Sequence, residues 1–257
     1  MAKIHFLGTC SGTEPIEGMH HTSIVVETNG IYYFFDAGEN SSYSAHLSGI
    51  DLMKIKAVFI SHPHMDHVGG LGELFWNIRK VSKRSKRTPI DGKVNLFVPV
   101  MATWEGFMMV LKNSEGGFSC DFDIVAKSVN DGTVYEDENI KVTAFHNHHM
   151  QMEEGNGWLS YSYLIEAEGK RIVFSGDVRE MPDLDDVIGE GCDILMVETG
   201  HHPVLKVGEY VKEKNVGKLI YTHHGREIIN GREEAEEKVK AFGFPAAIAY
   251  DGMVETV

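Results

Sequence analysis

No part of this chain comes near the roughly 20 consecutive apolar residues that a bilayer-spanning helix requires. The N-terminal stretch Met1-Ala2-Lys3-Ile4-His5-Phe6-Leu7-Gly8 lacks the long apolar core of a secretion signal. Neither membrane insertion nor export is therefore expected. Cysteine is scarce: Cys10, Cys120 and Cys192 are odd in number and far apart. That excludes a disulfide framework and suits free thiols in a reducing compartment, so the cytoplasm is the expected location. Proline is also scarce, at 7 residues, while 42% of the chain is hydrophobic, which argues for a packed globule and against disorder. No linker, low-complexity tract or short repeat divides the sequence, and residues 1–257 are expected to form a single domain. Positive charge is in deficit, with 24 Lys and Arg against 38 Asp and Glu and a net charge of −14. Loose binding to nucleic acid or anionic lipid is disfavoured by that balance. The exception is Arg79, Lys80, Lys83, Arg84, Lys86 and Arg87, read as the solvated end of a helix, where cations also complement the helix dipole.

What the chain does have is histidine, 14 in all. Its organising stretch is Ala57-Val58-Phe59-Ile60-Ser61-His62-Pro63-His64-Met65-Asp66-His67-Val68-Gly69-Gly70. A β-branched apolar run ends in three histidines and an aspartate within six positions, and a helical pattern follows. Imidazole and carboxylate together suit zinc and similar first-row ions. Pro63 biases His62 toward extended backbone, where His62 and His64 point the same way and can grip one ion. The turn into a helix at about 68–81 then aims Asp66 and His67 elsewhere, so one short loop suits two adjacent metals.

Other candidates share one context, the residue or two after an apolar strand. Ile31–Phe35, paired with Thr22–Thr28 across an Asn29-Gly30 hairpin turn, runs into Asp36. A strand at 139–145 runs into His146-Asn147-His148-His149, and the strand at 171–174 into Ser175-Gly176-Asp177. Strands at 193–197 and 218–222 end in Glu198-Thr199-Gly200-His201-His202 and in His223-His224. Helices are expected at 40–48, 100–112, 206–214 and 233–241, a flexible loop at 113–119, and a last strand at 246–250. Both halves open on hairpins and close on alternating helices and strands, which predicts two packed sheets with helices outside. Ligands at the ends of rigid strands can then meet along one edge.

With these residues in view the chain resembles the metallo-β-lactamase superfamily, whose signature is His-x-His-x-Asp-His after a strand. It is similar in particular to the phosphodiesterase branch that includes ribonuclease Z. The opening Phe6-Leu7-Gly8-Thr9-Cys10-Ser11-Gly12-Thr13-Glu14-Pro15, the segment Phe34-Phe35-Asp36-Ala37-Gly38-Glu39, Phe174-Ser175-Gly176-Asp177 and Ile220-Tyr221-Thr222-His223 all look like motifs of that branch. The resemblance implies an α/β (α+β) fold, a four-layer αββα sandwich. It implies that His62, His64 and a histidine of the third motif hold one metal, that Asp66, His67 and His223 hold the other, and that Asp177 bridges them. Asp36 would orient ligand histidines. Phe145 followed by His149-Met150 fits the family frame, so His149 is the expected third-motif ligand, with His148 next and His146 also competing. Two divalent ions are implied, zinc first, with manganese or iron as alternatives.

The implied activity is hydrolysis, most simply of a phosphodiester, by a metal-bridging hydroxide, with Asp66 positioning or deprotonating the attacking water. His202 is the candidate proton donor to the leaving group, in competition with a surface role before Pro203. A long tRNA-gripping arm has no counterpart here. With the acidic balance this makes a small phosphodiester or cyclic phosphate the expected substrate and nucleic acid a disfavoured one. The alternatives are a lactonase or thioesterase with the same metals, a ribonuclease Z-type tRNA 3′ endonuclease, and a non-catalytic metal-binding domain. Dimers are common among such proteins, so a homodimer is an open expectation.

Overall fold

Successive side chains of a strand leave opposite faces of the backbone, and this alternation dictates the layering. Phe34 and Val58 face one way, Tyr33, Phe35, Ala57 and Phe59 the other, and all six are buried. A sheet apolar on both faces must be covered on both. The computed structural model describes residues 1–155 and 157–257. The first six strands are β1 (Lys3–Gly8), β2 (Ser23–Thr28), β3 (Ile31–Phe35), β4 (Ile55–Phe59), β5 (Lys93–Val98) and β6 (Asp123–Ser128). The next are β7 (Gly132–Glu136), β8 (Ile140–His146), β9 (Tyr161–Ala167) and β10 (Lys170–Phe174). They are followed by β11 (Cys192–Thr199), β12 (Val216–His224), β13 (Ala246–Ile248) and β14 (Val254–Thr256). They form two seven-stranded sheets, in the orders β14-β1-β2-β3-β4-β5-β6 and β13-β12-β11-β10-β9-β8-β7.

The two sheets share a plan. Each begins with antiparallel hairpins and continues as parallel strands joined by crossovers. The Asn29-Gly30 and Glu168-Gly169 turns both have positive φ at their two central residues, as tight hairpins require. Between the sheets lies an aromatic-rich core that includes Phe6, Phe35, Phe59, Tyr163 and Phe174. Phe59 stacks on Phe35 and on Phe97 with centroids 5.0 Å apart in both cases.

Helices α1 (Ser41–Leu47), α2 (Met65–Val68), α3 (Leu71–Ser85) and α4 (Met101–Lys112) follow strands of the first sheet. Leu71, Leu74, Phe75 and Ile78 of α3 seat on its outer face, and Met101, Trp104, Met108 and Leu111 of α4 pack into the same core. Helices α5 (Asp185–Ile188), α6 (Val204–Lys212) and α7 (Arg226–Ala241) belong to the second half, and a third core joins them to the outer face of the other sheet. The result is the αββα sandwich. No helix among the described residues is long and apolar enough to cross a membrane.

Three features depart from the sequence-based expectation. The segment at 62–67 is not all loop: Met65–Val68 form one helical turn, separated from α3 by Gly69 and Gly70. Helix α7 starts at Arg226 and passes through Gly231, whose backbone (φ −147°, ψ 46°) breaks the helical pattern. The last three-residue strand, β14, returns to the first sheet beside β1, and so short an exposed segment carries no periodic signal.

Candidate metal centre

The strand ends converge. Asp36 follows β3, Ser61 and His62 follow β4, His149 follows β8, Asp177 follows β10, and Glu198 and His223 lie in the last residues of β11 and β12. Asp36 and His223 have left-handed backbone, with φ of 60° and 48°. For non-glycine residues this is a costly conformation, one that concentrates at functional sites. At the end of β12 the pairing with β11 shifts register between Glu198 and Thr199, an irregularity that re-aims the side chains beyond it.

Asp36 anchors the arrangement from behind. Its carboxylate accepts from the Ser61 amide at 2.6 Å, from Ser61 Oγ at 2.7 Å and from His67 Nδ1 at 2.6 Å. Because Ser61 Oγ gives its only proton to Asp36, it accepts from Nδ1 of His62 at 3.0 Å. Both imidazoles thus have Nδ1 committed and turn Nε2 into the cleft. Ser61 is a positioning residue that the sequence pattern does not single out.

Two groups of ligand atoms result. In the first, His64 Nδ1 lies 3.0 Å from His62 Nε2 and 3.4 Å from His149 Nε2. In the second, His223 Nε2 lies 3.2 Å from His67 Nε2 and 3.1 Å from Asp66 Oδ2. Asp177 stands between them. Its Oδ2 is 3.7 Å from His62 Nε2 and 3.8 Å from His149 Nε2, while its Oδ1 is 3.5 Å from His67 Nε2 and 3.3 Å from His223 Nε2. Each trio has its ligand atoms within 4.8 Å of one another, the span a single metal ion could gather. Imidazole nitrogens crowded so closely, with Asp177 Oδ1 buried among them and without a hydrogen-bond partner, fit a bound cation.

Among the third-motif histidines the structure brings only His149 to the others. Asn147 is buried and accepts the His149 amide on its Oδ1 at 3.1 Å, a local turn that swings His149 inward. His148 bonds Asp183 at 2.6 Å, and His146 bonds Asp131 at 2.7 Å and stacks on Trp158.

The electrostatics follow from burial and neighbours. Burial pushes His62 well below the ordinary histidine range and also lowers His149. Burial works in the same direction on His67, but Asp177 and Asp36 overcome it and raise the ring well above that range. Burial likewise opposes the charged ring of His223, yet Asp177, Asp66 and Glu198 push it up to about 9. Asp66, despite its burial, is held far below the carboxylate range by His223 and His67.

His202 is not brought to the cleft. It is buried, donates from Nε2 to the Val178 carbonyl at 3.0 Å, and has Lys206 Nζ 3.4 Å from its Nδ1. Its neighbour His201 occupies the position instead. The His201 ring is half exposed and lies 5.0 Å from the His149 ring and 5.9 Å from that of His223. Its Nδ1 is 3.1 Å from Glu198 Oε1, and this hydrogen bond raises its pKa. His201 and His202 lie in the bend between β11 and α6, where the His201 amide bonds back to Glu198 Oε2 at 2.8 Å, and the sequence does not say which of the two faces the cleft. Gly200 sits against the ring of His223, and a Cβ there would lie 2.6 Å from its Nδ1.

The cleft over these residues encloses about 340 Å³ and is also lined by Ser11, Gly12, Thr13, Gly225 and Arg226. The basic run at 79–87 lies outside it. Arg79 is buried with Nε on the Ser119 carbonyl, and Arg87 pairs with Asp51.

The family model described as anti-Pycsar protein Apyc1 matches residues 2–207. The ribonuclease Z of Methanothermobacter thermautotrophicus is 33% identical over 144 residues, 56% of this chain and 43% of that protein. The chain thus spans less than half of that relative's length. The ribonuclease Z of Archaeoglobus fulgidus is 24% identical over 281 aligned positions that cover 86% of both chains. Among solved structures, the short form of human tRNase Z superposes with a TM-score of 0.76 at 19% identity, covering 99% of both chains. The metallo-β-lactamase fold protein YhfI from Bacillus subtilis also superposes at 0.76, with 16% identity over 99% of this chain and 98% of its own.

Proposed function

The chain belongs to the family of the anti-Pycsar protein Apyc1, in the ribonuclease Z-like branch of the metallo-β-lactamase superfamily, and from that membership we propose that it is a two-metal phosphodiesterase acting on a small or cyclic phosphodiester. The observation that carries this reading is Asp177, whose two oxygens face two separate ligand trios. His62, His64 and His149 would hold one ion, Asp66, His67 and His223 the other, and Asp177 would lie between them. Nitrogen and carboxylate donors suit zinc, and manganese or iron would be accepted by the same set. Held there, such ions would supply the acidification of a water for attack at neutral pH and would offset charge on the phosphoryl oxygens.

The rest falls to side chains. Asp66 has one oxygen directed at His223 and His67, which leaves the other to position or deprotonate the attacking water. Departure of an alkoxide needs a proton. His201 is the better donor: it lines the cleft, and its hydrogen bond to Glu198 favours the charged ring against the effect of burial. His202 is buried with Nε2 on the Val178 carbonyl and is not among the residues that line the cleft.

The cleft volume of about 340 Å³ suits a small substrate, and the net charge of −14 works against a long polyanion. The test is turnover by the zinc-loaded chain of a chromogenic bis-aryl phosphate, with an aryl ester and a lactone alongside. Diester hydrolysis alone is expected. Hydrolysis of the ester or lactone alone would replace this reading with acyl chemistry, and bound metal without any turnover would replace it with a binding role.

A further inference from the structure

Among the described residues lining the cleft, Arg226 carries the one fixed positive charge. It opens α7, at the mouth of the cleft and across from the loop at 9–21. Its guanidinium pairs with the carboxylate of Glu14, which that loop carries. Both side chains are more than half open to solvent or close to it, at 50% and 62%. An exposed pair of this kind contributes little to stability.

Nor is the pair needed to hold the loop. On one side of Glu14, Thr9 bonds Asp251 through its amide and hydroxyl, and Ser11 bonds the His224 carbonyl through both its amide and its hydroxyl. On the other side, the His20 amide bonds Asp251, and His21 bonds Glu39 and the Thr13 carbonyl. The loop is thus pinned before and after Glu14 by buried or half-buried partners. What the pair does accomplish is to present a guanidinium at the cleft mouth of a strongly acidic chain, with a carboxylate on it. Carboxylate and phosphate offer the same two-oxygen edge to the guanidinium fork.

We propose that Arg226 is a specificity-determining residue that binds the phosphoryl oxygens of an anionic substrate, and that Glu14 occupies this anion position until the substrate displaces it. The inference rests on the reading of the cleft as a phosphodiesterase site. It makes the substrate an anion recognised at two places, the Asp177 centre and the Arg226 fork. It also makes Glu14 an internal competitor.

The sign of two substitutions separates this from a simple latch. The probe is inorganic phosphate, its binding to the zinc-loaded full chain measured by calorimetry at pH 7, so that no turnover is needed. Glu14→Gln is expected to tighten phosphate binding several-fold, because the competitor is gone. Arg226→Ala is expected to weaken it about tenfold or more, the scale of a charge-assisted hydrogen bond, and Arg226→Lys to restore only part, since the fork is lost. KM for the bis-aryl phosphate should move in the same directions. If both Glu14→Gln and Arg226→Ala weaken phosphate binding alike, the pair is a latch and the proposal fails. It fails also if neither shifts the affinity, or if the unaltered chain does not bind phosphate. Opposite shifts without any diester turnover would uphold Arg226 and overturn the phosphodiesterase reading.

Discussion

Asp36 and His67, both fully buried, share a hydrogen bond of 2.6 Å between carboxylate and Nδ1. This contact decides which nitrogen of His67 is free, and Ser61 passes the same constraint to His62. Asp36→Asn keeps the shape and tolerates the left-handed backbone. Its amide, however, donates to Nδ1 and drives the His67 proton to Nε2, the nitrogen that faces Asp66 and His223. Metal affinity and turnover are expected to fall about 10–100-fold with little change in melting temperature. Asp36→Ala should lose metal equally and also stability, about 1–2 kcal/mol for the backbone alone. Elemental analysis and thermal melts distinguish the two.

Replacement of His201 and His202 should separate chemistry from packing. His201→Ala is expected to lower kcat for a diester with an alkoxide leaving group about 100-fold, and to matter much less for a nitrophenolate, which leaves without protonation. Metal content should stay near that of the unaltered chain. His202→Ala empties a buried position and strips the Val178 carbonyl of its donor, so its expected effect is on stability, about 1–3 kcal/mol. Leaving-group dependence in His202→Ala, and its absence in His201→Ala, would reverse the assignment.

Acidity of the centre predicts opposite responses of the metal-free and metal-bound chains. In the metal-free chain His223 binds its proton up to about pH 9, against an ordinary value of 6.5, and His67 is raised as well. A histidine raised in the folded state contributes stability that is complete below the unfolded value and is lost as pH climbs through the folded one. The metal-free chain should therefore become less stable from pH 6.5 to 9. Metal must displace these protons, so its affinity should rise over the same window, with release of protons at pH 7. Calorimetry in buffers of different ionisation enthalpy counts them.

Much of the architecture was legible because it rests on short-range signals. The hairpin turns at Asn29-Gly30 and Glu168-Gly169, the apolar runs of β3, β4 and β10 and the 3.6-residue spacing of Leu71, Leu74, Phe75 and Ile78 are local. The signature at 62–67 is also contiguous, so its residues were identifiable before their positions were known. What escaped depends on contacts between distant parts of the chain. Ser61 matters through Asp36, 25 residues away in sequence. The inward turn of His201 rather than His202 follows from Glu198 and the irregular β11–β12 pairing. Arg226 meets Glu14 across 212 positions, and no periodicity reports such a pair.

On the proposed reading, Asp177 joins two metal positions into one hydrolytic site. It is tested most directly by titrating the metal-free chain with zinc at pH 7.5 while following bis-aryl phosphate turnover, with bound zinc measured at each point. Turnover is expected to rise to a plateau at two zinc ions per chain, and Asp177→Asn is expected neither to reach two ions nor to recover turnover. A plateau at one ion per chain, or full turnover in Asp177→Asn, would contradict it.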